Sequence, residues 1–225
     1  MITKIKNINI STWLVILTTI YIAGAVMQNI LAVKTFGNEL IAITTGGTLI
    51  SWLVFGCLSM ITEVWGKRKA TKTFLCGALF NLIFNLICWI AILIPGTNDF
   101  VQSSYQTVLG TGWRIVIGSI TAYLLGSFIN TRIMAYLKAK SKNDRNKKGF
   151  VVRITLATLF GQIVDNALFY LIAFSPIGIP NTIENPWFMI GELILFTTTI
   201  ETMVEFIVSP LFAKFTNYLK GRYNE

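Results

Sequence analysis

The sequence predicts an all-α integral membrane protein of six transmembrane helices with both termini in the cytoplasm. Three observations carry this expectation. Apolar runs of about 20 residues, enough to cross a hydrocarbon layer about 30 Å thick, recur six times. Only 13% of the 225 residues are charged, about half the share in an ordinary soluble domain, and the mean hydropathy is +0.65. Seventeen of the nineteen Lys and Arg residues fall in alternate gaps between the runs or at the helix ends beside them. An excess of positive charge marks the cytoplasmic side of such loops.

The first span is expected at residues 11–33. Lys4 and Lys6 before it and Ala23-Gly24-Ala25 within it imitate a signal peptide. The apolar run continues past that point and is long enough to span, so it reads as a helix. A short outer turn at 34–39 follows. The second span covers 41–61 and ends at Thr62-Glu63-Val64-Trp65-Gly66, before an inner turn with Lys67, Arg68, Lys69 and Lys72. The third covers 73–94 and stops at Pro95-Gly96, a helix-ending pair. The segment 97–110 reads as an outer loop, with Asp99 and no Lys or Arg.

The fourth span covers 113–137. Lys138, Lys140, Lys142, Arg145, Lys147 and Lys148 then form the most basic stretch of the chain. The fifth covers 151–174, and the outer loop at 175–186 has three prolines, Glu184 and no basic residue. The sixth covers 187–212, with Lys214, Lys220 and Arg222 beyond it. Spans and short gaps use nearly the whole chain, so residues 1–225 form a single transmembrane domain. Three helices per half would permit an inverted repeat, but the halves show no convincing similarity.

Composition excludes several kinds of chemistry. The chain has no histidine, which removes His-ligated metals, Ser-His-Asp catalysis and His proton relays. Cys57, Cys76 and Cys88 lie scattered in predicted spans and read as small packing residues. No catalytic residue, metal or cofactor is expected. The net charge of +9 would suggest nucleic acid in a soluble protein; here it sets topology and meets anionic headgroups, so the partner is the bilayer. No Gly-rich loop ending in Lys-Ser or Lys-Thr is present, so the chain carries no nucleotide-binding motif.

Polar residues inside spans carry the functional signal, because an ionisable group at mid-bilayer costs about 2.5–3.5 kcal/mol on insertion scales. Gln162, Asp165, Asn166 and Phe169 follow the spacing i, i+3, i+4, i+7 and share one face of the fifth span. The plain alternative is a hydrogen bond joining helices. Glu201 and Glu205 lie one turn apart in the sixth span. Two carboxylates so placed repel, so a cation, a donor-rich ligand or a shared proton should lie between them. Asn81 and Asn85, continued by Trp89, read as one face of the third span, and Gln28 and Asn29 lie in the first. Arg114, near the outer start of the fourth, is placed to meet a buried carboxylate or to snorkel to headgroups. Glu63 should pair locally with Lys67, Arg68 and Lys69.

Asn29, Asn81, Asn85, Trp89, Arg114, Gln162, Asp165, Asn166, Phe169, Glu201 and Glu205 are therefore the candidate binding residues. Carboxylates accept hydrogen bonds and amides do both. A carboxylate can take two N–H groups side by side, and an aromatic ring can stack on a flat heterocycle. The set suits a purine-like base with an exocyclic amine, or a small organic cation.

Several segments resemble the queuosine-precursor transporter family, also called vitamin-uptake-transporter-like. They are Asn29-Ile30-Leu31-Ala32-Val33-Lys34, Thr45-Gly46-Gly47-Thr48-Leu49 and the distinctive run Glu63-Val64-Trp65-Gly66-Lys67-Arg68-Lys69-Ala70. Phe160-Gly161-Gln162-Ile163-Val164-Asp165-Asn166 through Phe169 to Ala173-Phe174, Ser209-Pro210-Leu211 and the placing of Arg114 complete the match. The resemblance implies a six-helix bundle related to the substrate-binding components of energy-coupling-factor vitamin importers. It also implies uptake of 7-deazaguanine precursors or queuine for tRNA modification. The Lys- and Ile-rich composition suggests a bacterium, so the expected location is a bacterial inner membrane. Three positions depart from the family pattern: Ser59 and Asn130 stand where an Asp is usual, and Glu201 where a Lys is. An acid at Glu201 favours a ligand that carries an amine.

The expected function is import of a queuosine precursor or a related purine-like base, without enzymatic turnover. A substrate-binding subunit that needs separate ATPase subunits, a membrane enzyme using carboxylates, and a cation channel lined by Asp165, Glu201 and Glu205 are the alternatives. An ATPase module and a homo-oligomer stay open as partners.

Overall fold

A computed structural model of the chain describes residues 9–37, 42–110, 113–141, 147–175 and 186–223. Seven helices and one two-stranded sheet lie among them. Helix α1 is Ile10–Ala32, capped by Asn9, whose side chain accepts the Ser11 N–H at 3.2 Å. The chain then forms β1, Thr35–Gly37, and β2, Ala42–Thr45, paired antiparallel with Thr35 opposite Thr45.

That hairpin corrects the expected start of the second span. Residues 42–45 are extended, and helix α2 runs Thr48–Trp65. Ile43, Thr44 and Thr45 are β-branched and suit a strand. Gly46 and Gly47 bring the backbone against the end of α1: a Cβ on Gly46 would lie 2.5 Å from the Leu31 carbonyl oxygen, and one on Gly47 2.9 Å from that of Gln28.

Helix α3, Lys67–Leu93, starts directly after Gly66, whose φ of 84° lets the chain reverse in one residue. The basic turn expected there is thus the first turn of a helix. Helix α4, Asp99–Leu109, replaces the expected outer loop. Helices α5, Trp113–Ala139, α6, Lys147–Phe174, and α7, Pro186–Tyr223, follow. Helix α7 contains Pro210 and continues beyond the expected end at 212 to Tyr223. Proline leaves the carbonyl four residues back without its donor; the Ser209 hydroxyl donates to that Phe206 oxygen at 2.9 Å, so the helix goes on.

Five of these helices, α1, α2, α3, α6 and α7, are long and apolar enough to cross a bilayer, which makes this an α-helical, multi-pass membrane protein. Helix α5, the expected fourth span, falls outside that set. Ser119, Thr121, Ser127, Asn130, Thr131 and Arg132 dilute its apolar character. Helix α2 is central, packed by α1, α3, α5 and α7. Its apolar window is 72% buried, against 22% in α1 and α3. The main core is built on Leu17, Tyr21, Leu58, Ile61, Met134 and Ile154. Exposed Leu79, Ile83, Leu86 and Ile90 form an apolar face on α3 that suits lipid rather than water.

Candidate functional site

Helices α6 and α7 meet along a polar seam. The Asn166 amide donates to Thr198 Oγ1 at 3.1 Å and to Glu201 Oε2 at 2.9 Å. Thr202 Oγ1 donates to Gln162 Oε1 at 3.1 Å. The Tyr170 and Thr197 hydroxyls are 3.2 Å apart, and Thr197 donates to Thr44 of β2 at 3.1 Å. The seam arises because polar residues recur every four positions on α6, at 158, 162, 166 and 170, which keeps them on one face.

A narrow pocket of about 50 Å³ lies beside this seam. Asp165, Asn166, Phe169 and Glu201 line it, with Gln28 and Asn29 of α1, Thr45 and Thr48 near the hairpin, and Ser119, Tyr123 and Ser127 of α5. Asp165 reaches it where α5 and α6 come closest: a Cβ on Gly126 would lie 2.7 Å from Asp165 Cβ and 2.9 Å from the Gly161 carbonyl oxygen. Tyr21 and Ser127 hydroxyls, 2.9 Å apart, close the α1–α5 side.

Above it opens a second cavity of about 330 Å³, within the size range of small-molecule sites. Asn29, Ser119 and Phe169 line both compartments. Asn29 donates to Asn81 Oδ1 at 2.8 Å and accepts from the Ser119 hydroxyl at 2.6 Å, while Asn85 donates to Asn81 Oδ1 at 2.9 Å. These amides therefore tie α1, α3 and α5 together at the boundary. Thr107, Val108 and Leu109 of α4 line the far side of the wide cavity with Asn85 and Phe174.

The structure brings Asn29, Asp165, Asn166, Phe169 and Glu201 to one pocket and Asn85 to the cavity above it. Asn81 supports them from behind. Trp89 does not join them: it is 59% exposed on the outer face of α3. Eight residues of α-helix overshoot two turns by about 80°, so Trp89 leaves the face that Asn81 starts. Glu201 and Glu205 also separate. Glu201 lines the pocket, whereas Glu205, wholly buried, does not, and among the described residues neither of its oxygens has a partner in full hydrogen-bond geometry. Gln162 likewise sits in the seam, outside the pocket. The side chain of Arg114 lies outside the described residues, as do Lys4, Lys6, and residues 142–146 and 176–185 of the two loops.

Glu63 corrects another expectation. It is buried and pairs with Arg153 of α6 at 2.6 Å and Lys220 of α7 at 2.7 Å, while Lys67, Arg68 and Lys69 are exposed. Lys138 of α5 donates to its backbone carbonyl. Ser59 and Asn130, which both depart from the family pattern, are hydrogen-bonded to each other at 3.3 Å, so the two departures form a single neutral pair. Gly24 and Ala25 are buried, Gly24 against Val54. Ala23 beside them is exposed.

Sequence reasoning missed Tyr170, Thr197 and the α5 set Ser119, Tyr123 and Ser127. Tyr170 continues the spacing of Asn166, and the α5 residues fall at i, i+4 and i+8, so periodicity pointed to both.

These features define a multi-pass membrane protein with a cavity of small-molecule size next to a narrow, carboxylate-bearing polar pocket. The chain belongs to the family described as "Putative vitamin uptake transporter", which matches residues 45–215, more than half of its length. It is also similar to a "Probable queuosine precursor transporter" of Bacillus subtilis (strain 168), at 24% identity over 154 residues. That alignment covers 67% of this chain and 65% of the relative. No solved structure matches the chain.

Proposed function

We propose that this chain is an importer of a queuosine precursor, a 7-deazaguanine derivative or queuine, or of a related purine-like base. It acts in a bacterial inner membrane, with six spans and both termini in the cytoplasm. Helix α5 supplies the remaining span; its Ser119, Ser127, Asn130 and Thr131 are buried in the packed interior, where they cost less than in lipid. The name of the bacillary relative and the membership of the family support the substrate class. The observation that carries the reading is the pocket in which Asp165, Asn166 and Glu201 present acceptors and an amide beside the Phe169 ring. A flat base with adjacent N–H donors fits this set: Asp165 takes the base edge, Asn166 completes it, Phe169 stacks, and Glu201 meets an amine.

The test is binding of purified protein to guanine, the nitrile and aminomethyl 7-deazaguanine precursors, queuine and queuosine. One member should bind at micromolar concentration or tighter, and Asp165→Asn should weaken it by about tenfold or more, as expected for loss of a charged hydrogen-bond partner. Preference for the amine-bearing members over the nitrile would assign Glu201 to the amine. Failure of the wild type to bind any of them would overturn the reading.

A further inference from the structure

Among the described residues, Glu205 is the acid whose two carboxyl oxygens are both buried without a partner in full hydrogen-bond geometry, the nearby Thr158 hydroxyl included. It is 0% exposed, and no ion pair reaches it among the described residues. It stands one turn from Glu201 on α7, outside the pocket that Glu201 lines. The groups around it are oxygen-bearing and similarly idle. Thr158 faces it from α6, yet that hydroxyl, wholly buried, has no partner that meets hydrogen-bond geometry. Gln162, one turn along the same face, is fully buried with its Nε2 unpartnered. Turning that amide over would let Nε2 donate to Thr202 and free its oxygen. The titratable group facing Glu205 from α2 is the Cys57 thiol; α6 presents the Thr158 hydroxyl, with Gln162 one turn further along that helix, and α7 itself carries Glu201 one turn away. Arg153 and Lys220 are engaged with Glu63 at the far end of the seam.

A buried charge without a partner is not tolerated in a low-dielectric interior; it must be neutralised. Four idle polar atoms converging on one seam further indicate a missing occupant. Among the described residues no three acids or cysteines gather to hold a metal ion, and one carboxyl with neutral oxygens balances a single positive charge. We propose that Glu205, with Thr158 and Gln162, is the seat of a monovalent coupling cation, a proton or a sodium ion, bound apart from the solute. The two carboxylates one turn apart thus divide the work: Glu201 faces the solute and Glu205 the driving ion. This inference rests on the importer reading, and the cation site is tested first without any solute.

The first measurements compare full-length wild type with Glu205→Gln. For sodium, the melting temperature in sodium chloride should exceed that in choline chloride by about 5 °C, as expected for a ligand far above its Kd, and Glu205→Gln should abolish the difference. For a proton, sodium should have no effect, and the infrared band of protonated carboxyl groups should lose one component in the variant. Neither signature in the wild type, or either one kept by the variant, overturns the proposal. In proteoliposomes, Glu205→Gln should bind a panel base like the wild type but accumulate it at least about tenfold less under the sodium or acid-outside gradient. Accumulation at the wild-type level, or loss of binding as in Asp165→Asn, also overturns it. A wild type that shows the cation signature yet binds no base separates failure of the substrate assignment from failure of this inference.

Discussion

At Glu63 a single carboxylate oxygen takes hydrogen bonds from Arg153 at 2.6 Å and Lys220 at 2.7 Å, all three side chains being buried. Removing the acid would leave two cations in the interior without counter-charge, which costs about 3–5 kcal/mol for a buried pair. Glu63→Gln is therefore expected to lower the melting temperature in detergent by several degrees, whereas Lys69→Ala, at an exposed position, should leave it within experimental scatter. A melting curve of Glu63→Gln that overlays the wild type would show the ion pairs to be solvated. This pairing was hidden in the sequence, because Lys67, Arg68 and Lys69 lie close in the chain while the actual partners lie 90 and 157 residues away. The α6 face from Gln162 to Phe169 was legible for the opposite reason: its signal is local spacing within one helix. Periodicity failed at Trp89, where a spacing of eight residues was taken as one face although the helix had rotated away.

Among the elements, α4 and the hairpin were the least legible. Both lie between long apolar runs whose strong signal made everything else read as connection. Local chemistry specified them nonetheless. Asn98 caps α4 by accepting the Val101 N–H at 2.8 Å, Asp99 sits in its first turn, and Gly110 ends it. Its Phe100, 80% exposed, and Tyr105, 50% exposed, point away from the cavity that Thr107 and Leu109 line. Asn98→Ala should cost the helix about 1 kcal/mol and raise amide hydrogen exchange across 99–109 without changing that of α6. Unchanged exchange in α4 would mean that cavity packing, not the cap, holds it. The crossing of α5 and α6 makes a firmer demand. A Cβ at Gly126 would meet Asp165 and the backbone of Gly161, while one at Gly191 would meet nothing within 4 Å. Gly126→Ala should thus destabilise by about 1–3 kcal/mol and weaken base binding with it, because the atom displaced belongs to Asp165. Gly191→Ala should do neither, and equal behaviour of the two variants in melting and binding would show that the helices separate freely.

In the molecule as a whole, the two ends differ in kind. At one end the wide cavity opens among the hairpin, α4 and the end of α1. At the other, Glu63, Arg153, Lys220 and Lys138 tie α2, α6, α7 and α5 together. The inner pocket, about 50 Å³, cannot hold a bicyclic base, but the cavity of about 330 Å³ can. On the proposed reading, a base would therefore rest first above Phe169 and the Asn29–Asn81–Asn85 amides, and reach Asp165 and Glu201 only as they part. For an importer in its loading state the wide cavity faces outward, which is also where the charge pattern puts it, since the tied end carries the basic residues. Sidedness tests the two arguments together. With Cys57, Cys76 and Cys88 replaced by serine, Ser104→Cys in α4 should react with a membrane-impermeant maleimide added to intact cells. Lys140→Cys, beyond α5, should react only after the membrane is opened. The reverse pattern would place the cavity mouth in the cytoplasm; the structure would then be the releasing state, with the ion pairs at Glu63 closing the outside. Charge would no longer predict its orientation.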